Sequence, residues 1–126
     1  MDNVPGKIVI DGVEFVRADQ SRKMAEPADG LPYVIIRSYG AGVFAGYLRS
    51  RKESEAGISV VLDRCRRLHR WTGCSLSQVA VDGIAGNGEN RFSVSTDGHE
   101  IEQVLEIIPA TEKARLAIQG VAEWKT

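Results

Sequence analysis

Arginine is the residue type whose placement carries the most chemistry in this chain. Between Arg49 and Trp71 stand seven basic residues (Arg49, Arg51, Lys52, Arg64, Arg66, Arg67 and Arg70) against three acids (Glu53, Glu55 and Asp63). Between Asp97 and Glu112 stand five acids and no lysine or arginine. Arg64, Arg66, Arg67 and Arg115 each offer planar, paired N–H donors that match phosphate oxygens. Tyr39, Phe44, Tyr47 and Phe92 offer ring faces on which a base can stack, at roughly 1–3 kcal/mol per base. Together these groups suit a small ligand that carries both phosphate and base. Two plainer readings stand beside this one. The arginines are solvated or pair with the acidic segment, because surface pairs are common and weak. Phe44 and Phe92 fall in strand-like runs and pack as core. Tyr39 is the better platform, because it adjoins Gly40 in a turn and turns lie at the surface.

Other chemistries find less support. His69 and His99 are the only near-neutral bases, and neither lies in a nucleophile or zinc-protease motif. A paired-carboxylate site has many acids to draw on but no pattern pointing to it. Gly83, Gly86 and Gly88 spell G-x-x-G-x-G, the wrong order for a dinucleotide fingerprint, and read as a turn. Cys65, His69 and Cys74 spell C-x3-H-x4-C, which lacks a fourth ligand and any C-x2-C pair, so no metal site is expected. No cofactor is implied. Sixteen basic residues face seventeen acidic ones, a net charge of −1, whereas a general DNA or RNA binder needs a large positive excess. The first residues hold no basic start followed by an apolar run, and no stretch approaches 18 apolar residues. Neither a signal peptide nor a membrane span is expected. The expected compartment is the cytoplasm, with both thiols reduced.

These groups need a scaffold. The chain has 126 residues, 43% hydrophobic and 26% charged, which fits one folded domain with a core of its own. Lys7 to Ile10 and Val13 to Val16 flank Asp11-Gly12 and predict a hairpin with a type I′ turn. Residues 17 to 30 read as a linker, or a short helix followed by a turn at Asp29-Gly30. Residues 1–30 therefore form an appendage to a single domain over 31–126. Tyr33 to Ser38 and Val43 to Leu48 predict two strands around a glycine turn at 39–42. Ile58 to Asp63 predicts a third strand. Arg64 to Trp71 fits either its continuation, with Ile58, Val60, Leu62, Arg64 and Arg66 on one face, or a helix with Cys65, Leu68 and His69 in an apolar stripe. The β-branched start favours strand.

Ser75 to Asp82 predicts a short helix capped by Ser75, with Gln78 as capping-box partner and Gly83 or Gly86 as the stop. Asn87 to Asn90 reads as a loop. Arg91 to Ser95 reads as a strand, Asp97-Gly98 as a turn, and Glu100 to Ile108 as one last strand broken by Pro109. Thr111 to Trp124 predicts a long helix with Thr111 as N-cap, Glu112 at its positive end, and Ala114, Ala117, Ile118, Val121 and Ala122 as its apolar stripe. Arg115 and Gln119 sit one turn apart on another face. Gly120 costs this helix about 1 kcal/mol and invites a close neighbour, such as the same helix of a second copy. The expected fold is α+β: an antiparallel β-sheet with a short helix and a long C-terminal helix.

Five segments carry a family resemblance: Tyr33 to Leu48, Arg66 to Gly73, Ser75 to Ala80, Glu106 to Ala114, and Glu123-Trp124-Lys125. Together they resemble the phage-encoded type I Thoeris anti-defence sponges, over about residues 31–126. The resemblance implies a binding protein rather than an enzyme. It would hold intact a cyclic ADP-ribose isomer made by a TIR-domain enzyme of the infected bacterial host, and so block immune signalling. Cyclic oligonucleotides are further ligands in that family. It implies a homo-oligomer, from dimer to hexamer, with pockets between subunits. Carried over by position, Arg66 and Arg67 are the arginine pair and Arg115 the helix phosphate ligand, with Lys113 a weaker candidate. Arg64, Tyr39 and Phe92 complete the expected ligand site. Two departures bear on which cyclic nucleotide fits: His69 and Arg70 precede Trp71 where bulky aromatics are expected, and 84–90 is glycine-rich. The competing functions are an enzyme that cleaves a cyclic nucleotide and a ligand-free phage interaction module.

Overall fold

A computed structural model describes residues 7–10, 13–16, 23–84 and 88–125. Strands β1 (Lys7–Ile10) and β2 (Val13–Val16) pair antiparallel, with Lys7 opposite Val16. The expected Asp11-Gly12 turn, residues 17–22 of the linker and residues 85–87 of the glycine-rich loop lie outside the described residues. From Lys23 on, the chain is tied to the domain. Ala25 N–H donates to Ala110 O at 3.1 Å, and Glu112 N–H donates to Lys23 O at 2.8 Å.

The main sheet has six strands, β3 (Tyr33–Ser38), β4 (Gly42–Ser54), β5 (Gly57–Arg70), β6 (Arg91–Phe92), β7 (His99–Ile101) and β8 (Val104–Pro109). All neighbours are antiparallel, in the order β6-β5-β4-β3-β8, with β7 beside the start of β5. Helices α1 (Leu76–Asp82) and α2 (Glu112–Gln119) complete the fold. Alternation along the strands builds two cores. Tyr33, Ile35, Ala45, Tyr47, Leu68 and Phe92 pack with Val79, Ala80, Ala114 and Ile118 of the helices. On the opposite face Val34, Ile36, Phe44, Val60, Leu62 and Cys65 pack with Ile101 and Val104. A sheet that buries both faces needs apolar residues at successive positions, and Tyr33-Val34-Ile35-Ile36 is such a run.

Several expectations need correction. The α+β class holds, but the C-terminal helix is short. It starts as expected, with Ala114 N–H donating to Thr111 Oγ1 at 3.1 Å, and stops at Gln119 rather than 124. Past Gly120 the chain turns away, and Trp124 N–H donates to Phe92 O at 2.8 Å beside β6. The apolar residues 121 and 122 mimic helix periodicity, but the chain spends them on a return to the sheet. The final strand is two strands. Gln103 sits at φ +52° and breaks it, so β7 pairs with β5 while β8 pairs with β3. Ile101 and Val104 therefore share a core, contrary to the expected alternation. The strand expected over 91–95 keeps only Arg91 and Phe92. Ser75 does cap α1, accepting from Gln78 N–H, but the Gln78 side chain donates to Asp82 and closes no capping box. Gly83 ends α1 at φ +79°, where a Cβ would stand 2.6 Å from that of Ala117, so glycine there lets the two helices meet closely.

The region 64–70 continues as strand, but with a bulge. Ala45 faces Arg66 and Tyr47 faces Asp63, so Gly46 opposes both Arg64 and Cys65. A Cβ on Gly46 would stand 2.9 Å from Asp63 O and 3.1 Å from Cys65 Cα. The extra residue reverses the alternation. Leu62 and Cys65 lie in one core, while Arg64 and Arg66 emerge on the other face. The expected single face from Ile58 to Arg66 is thus broken at Arg64.

Candidate functional site

The bulge in β5 and the end of α2 enclose a cleft of about 240 Å³, lined by Arg64, Arg66, Ser95, Gln119, Val121 and Glu123. Each wall has a local cause. Arg64 and Arg66 reach it because the bulge shifts their parity. Gln119 reaches it from the last turn of α2, held by Arg115 one helical turn back, whose Nη1 donates to Gln119 Oε1 at 2.8 Å. Val121 and Glu123 reach it because the chain leaves the helix at Gly120.

Arg66 is 5% exposed, and its guanidinium is spent on backbone carbonyls. Nε donates to Ser93 O at 2.8 Å, and Nη1 donates to Ile118 O at 2.8 Å and Val121 O at 2.7 Å. Nη2 reaches Phe92 O at 3.4 Å. The carbonyls at the end of a helix lack intrahelical partners, and a cation there also meets the negative end of the helix dipole. Arg66 thus joins α2 to the sheet and lends its charge to the cleft floor.

Arg64 is the opposite case. Among the described residues it makes no ion pair. Its guanidinium carbon lies 5.5 Å from the centroid of the Tyr47 ring, a cation–π contact at the cleft mouth. Arg115 is held between these extremes. Its Nε and Nη2 donate to the two Glu112 carboxylate oxygens at 2.9 and 2.6 Å. The Arg115 guanidinium bonds keep the Glu112 carboxyl below its ordinary range. Gln119 Nε2 donates to Tyr47 Oη at 3.4 Å. Tyr33 packs edge-on against Tyr47 with centroids 5.0 Å apart, and its hydroxyl is buried with no hydrogen-bond partner among the described residues. Burial, reinforced by Tyr47, pushes the Tyr33 phenol well above its ordinary range, so it stays a neutral donor.

The structure therefore lines the cleft with Arg64 and Arg66, sets Arg115 behind Gln119, and sends the rest elsewhere. Arg67 pairs in register with Phe44 and lies on the other face of the sheet, its guanidinium carbon 4.7 Å from the Phe44 centroid. Its Nη1 reaches Ala41 O at 3.5 Å, in the turn that carries Tyr39. Tyr39 is 73% exposed. His99 shares that side, and burial, followed by the Arg67 charge, lowers its imidazole pKa. Phe92 is fully buried, with the Arg66 guanidinium 5.6 Å from its centroid. It has no face to offer a base. Lys113 extends from α2 toward Asp82 at 3.7 Å.

Tyr47, counted in the sequence as a stacking platform, instead contributes a hydroxyl and a cation–π ring. Tyr33 and the acids around the bulge, Asp63 and Asp97, were not singled out. The signal for the tyrosines was present, since Tyr33 and Tyr47 pair in register across an apolar hairpin. Among the described residues no group of three or more His, Cys, Asp or Glu is gathered to hold a metal, and no helix is long and apolar enough to cross a membrane.

A family model described as a domain of unknown function (DUF6948) matches residues 31–118. No curated protein and no solved structure matches the chain.

Proposed function

The chain belongs to the DUF6948 family, a family of unknown function. From the sequence resemblance and the arginine-lined cleft we propose that it is a phage anti-defence protein that binds and sequesters a TIR-generated cyclic ADP-ribose isomer without cleaving it. The matched region contains Arg64, Arg66 and Ser95, half of the residues that line the cleft, and Arg115 beside it. The observation that carries the reading is one open cleft lined by Arg64 and Arg66, with Arg115 bonded to its wall residue Gln119. A pyrophosphate with two negative charges fits such a cluster, because charge-assisted bonds from arginine are strong and directional.

Size shapes the proposal. Sites that enclose a drug-sized ligand span about 300–1,000 Å³. A cleft of about 240 Å³ holds the pyrophosphate and leaves the adenine and riboses outside. A second copy of the chain would cover them. Leu116 is 58% exposed on α2, at a groove whose lining includes Ile84, Asn90, Ala117, Gly120 and Val121. We place the contact between copies there. To outcompete a receptor the assembly needs roughly nanomolar affinity, about −12 kcal/mol. A cyclised ligand helps by losing little conformational freedom.

The test is release by heat. The protein is incubated with supernatant from cells producing the signal, freed of unbound ligand, heated, and the supernatant read by mass spectrometry. Intact cyclic nucleotide is expected. A linear or smaller product would replace this reading with that of a cleaving enzyme, and no released nucleotide would leave an interaction module.

A further inference from the structure

Arg64 stands in a backbone conformation that its side chain makes costly. Its φ is +49°, the left-handed region in which Cβ crowds the carbonyl and which glycine, asparagine or aspartate occupy far more readily. Two carboxylates hold it there. Asp97 Oδ1 accepts the Arg64 backbone N–H at 2.8 Å. In return Asp63 Oδ1 accepts the Gly98 N–H at 2.9 Å. The Asp63 carboxylate is itself fixed by Arg49, whose Nε donates to Oδ2 at 2.9 Å and whose Nη2 donates to Oδ1 at 2.5 Å. The bulge and the turn before β7 therefore clasp each other, each by a side chain on the other's backbone. Without the bulge, position 64 would share the face of Val60 and Leu62 and point into the second core. With it, the guanidinium is delivered over Tyr47 at the cleft mouth, and among the described residues no carboxylate pairs with it.

From this geometry we infer that Arg64 is the residue that grips the ligand's phosphate, and that Asp97, clasped with Asp63, is its positioning residue. Strain that persists around a charged side chain with no ion-pair partner among the described residues marks a residue retained for what it binds. Arg66 and Arg115 differ, because their donors are already taken by carbonyls and by Glu112. The inference rests on the reading that the cleft takes a phosphate-bearing ligand.

Titration calorimetry with inorganic pyrophosphate and with cyclic ADP-ribose tests it. Arg64→Gly should weaken binding of either probe at least tenfold while leaving the melting temperature unchanged or raised. Should that variant fail to fold, Arg64→Asn, which tolerates the same backbone conformation, repeats the measurement. Asp97→Ala should weaken binding severalfold. Asp97→Asn keeps an acceptor for the Arg64 N–H and should restore it. In an Arg64→Gly background Asp97→Ala should cost no further affinity, a non-additivity that a merely structural role would not produce. Pyrophosphate bound through Arg64 with no affinity for cyclic ADP-ribose would uphold this inference and end the sponge reading. Cyclic ADP-ribose bound equally well by wild type and Arg64→Gly would do the reverse. Independent losses in the double variant, or no binding of either probe by the wild type, would overturn the inference.

Discussion

Three arginines in and beside one cleft have three different energetic positions. Arg66 is nearly fully buried, so every donor it leaves unpaired and every carbonyl it abandons costs the fold. Arg66→Ala is expected to destabilise the protein by roughly 3 kcal/mol, read as a shift in urea midpoint at constant slope. A midpoint within experimental error of wild type would show that the carbonyls of Ile118 and Val121 find water instead. Tyr33 makes the converse case. Its hydroxyl is buried without a partner, so Tyr33→Phe removes an unsatisfied group and leaves packing intact. Stability should hold or rise by about 1 kcal/mol in the same urea experiment. A clear loss would mean that the hydroxyl is bonded in solution, with water from the cleft as the first candidate. At this scale the sequence was half legible. The arginine-rich run did mark the site, but successive strand residues face opposite ways, so the adjacent Arg66 and Arg67 could not both belong to it. Period-two alternation was enough to say so. Phe92 was misjudged as an exposed platform because a ring type alone says nothing of burial.

Elements succeeded where local chemistry decides them and failed where distant partners do. Thr111 and Ser75 cap their helices because a side-chain oxygen meets an N–H three residues on, a relation written in neighbouring residues. The end of α2 is not local. Residues 121–124 are apolar enough to continue the helix, but Arg66 and the free edge of Phe92 draw the chain back to the sheet. The bulge at Arg64 was equally hidden, since its cause is the Asp97 carboxylate 33 residues away. That clasp has a pH signature. The Arg49 bond, helped by the Gly98 N–H, holds the Asp63 carboxyl below its ordinary value of 3.8, and the Arg115 bond holds Glu112 below 4.5. A carboxyl whose folded pKa is depressed stabilises the fold fully above its unfolded pKa and loses that contribution as pH falls through the folded value. The melting temperature should therefore stay level from pH 7 to about 5 and fall below about 4. Asp63→Asn should flatten part of that fall, and an unchanged acid limb in this variant would remove Asp63 from the clasp.

The whole molecule spreads its apolar residues over two faces of a single sheet and still leaves an apolar stripe uncovered. The face of α2 turned to the core holds Ala114 and Ile118, both fully buried. Its outer face presents Leu116 at 58% exposure above a groove of about 400 Å³ lined by Ile84, Ala117, Val121 and Ala122. A leucine set among small residues is the kind of surface on which two helices approach closely. The cleft opens beside the same helix end, since Gln119 and Val121 line it. A second copy docked on α2 would therefore both hide Leu116 and extend the wall of the cleft, so assembly and affinity should be lost together. In size-exclusion chromatography with light scattering the wild-type protein should exceed the 13.8 kDa of one chain, and Leu116→Glu should return it to that mass. Burying a carboxylate without a partner is costly enough to prevent the contact, while on an exposed face it leaves the monomer folded. Leu116→Glu should also weaken cyclic ADP-ribose binding more than pyrophosphate binding, because the adenine and riboses, not the phosphates, need the second copy. A wild-type protein that is monomeric at every concentration tested would confine the ligand to one chain. The cleft would then be a pyrophosphate site with the ligand's adenine in solvent, too shallow for nanomolar affinity.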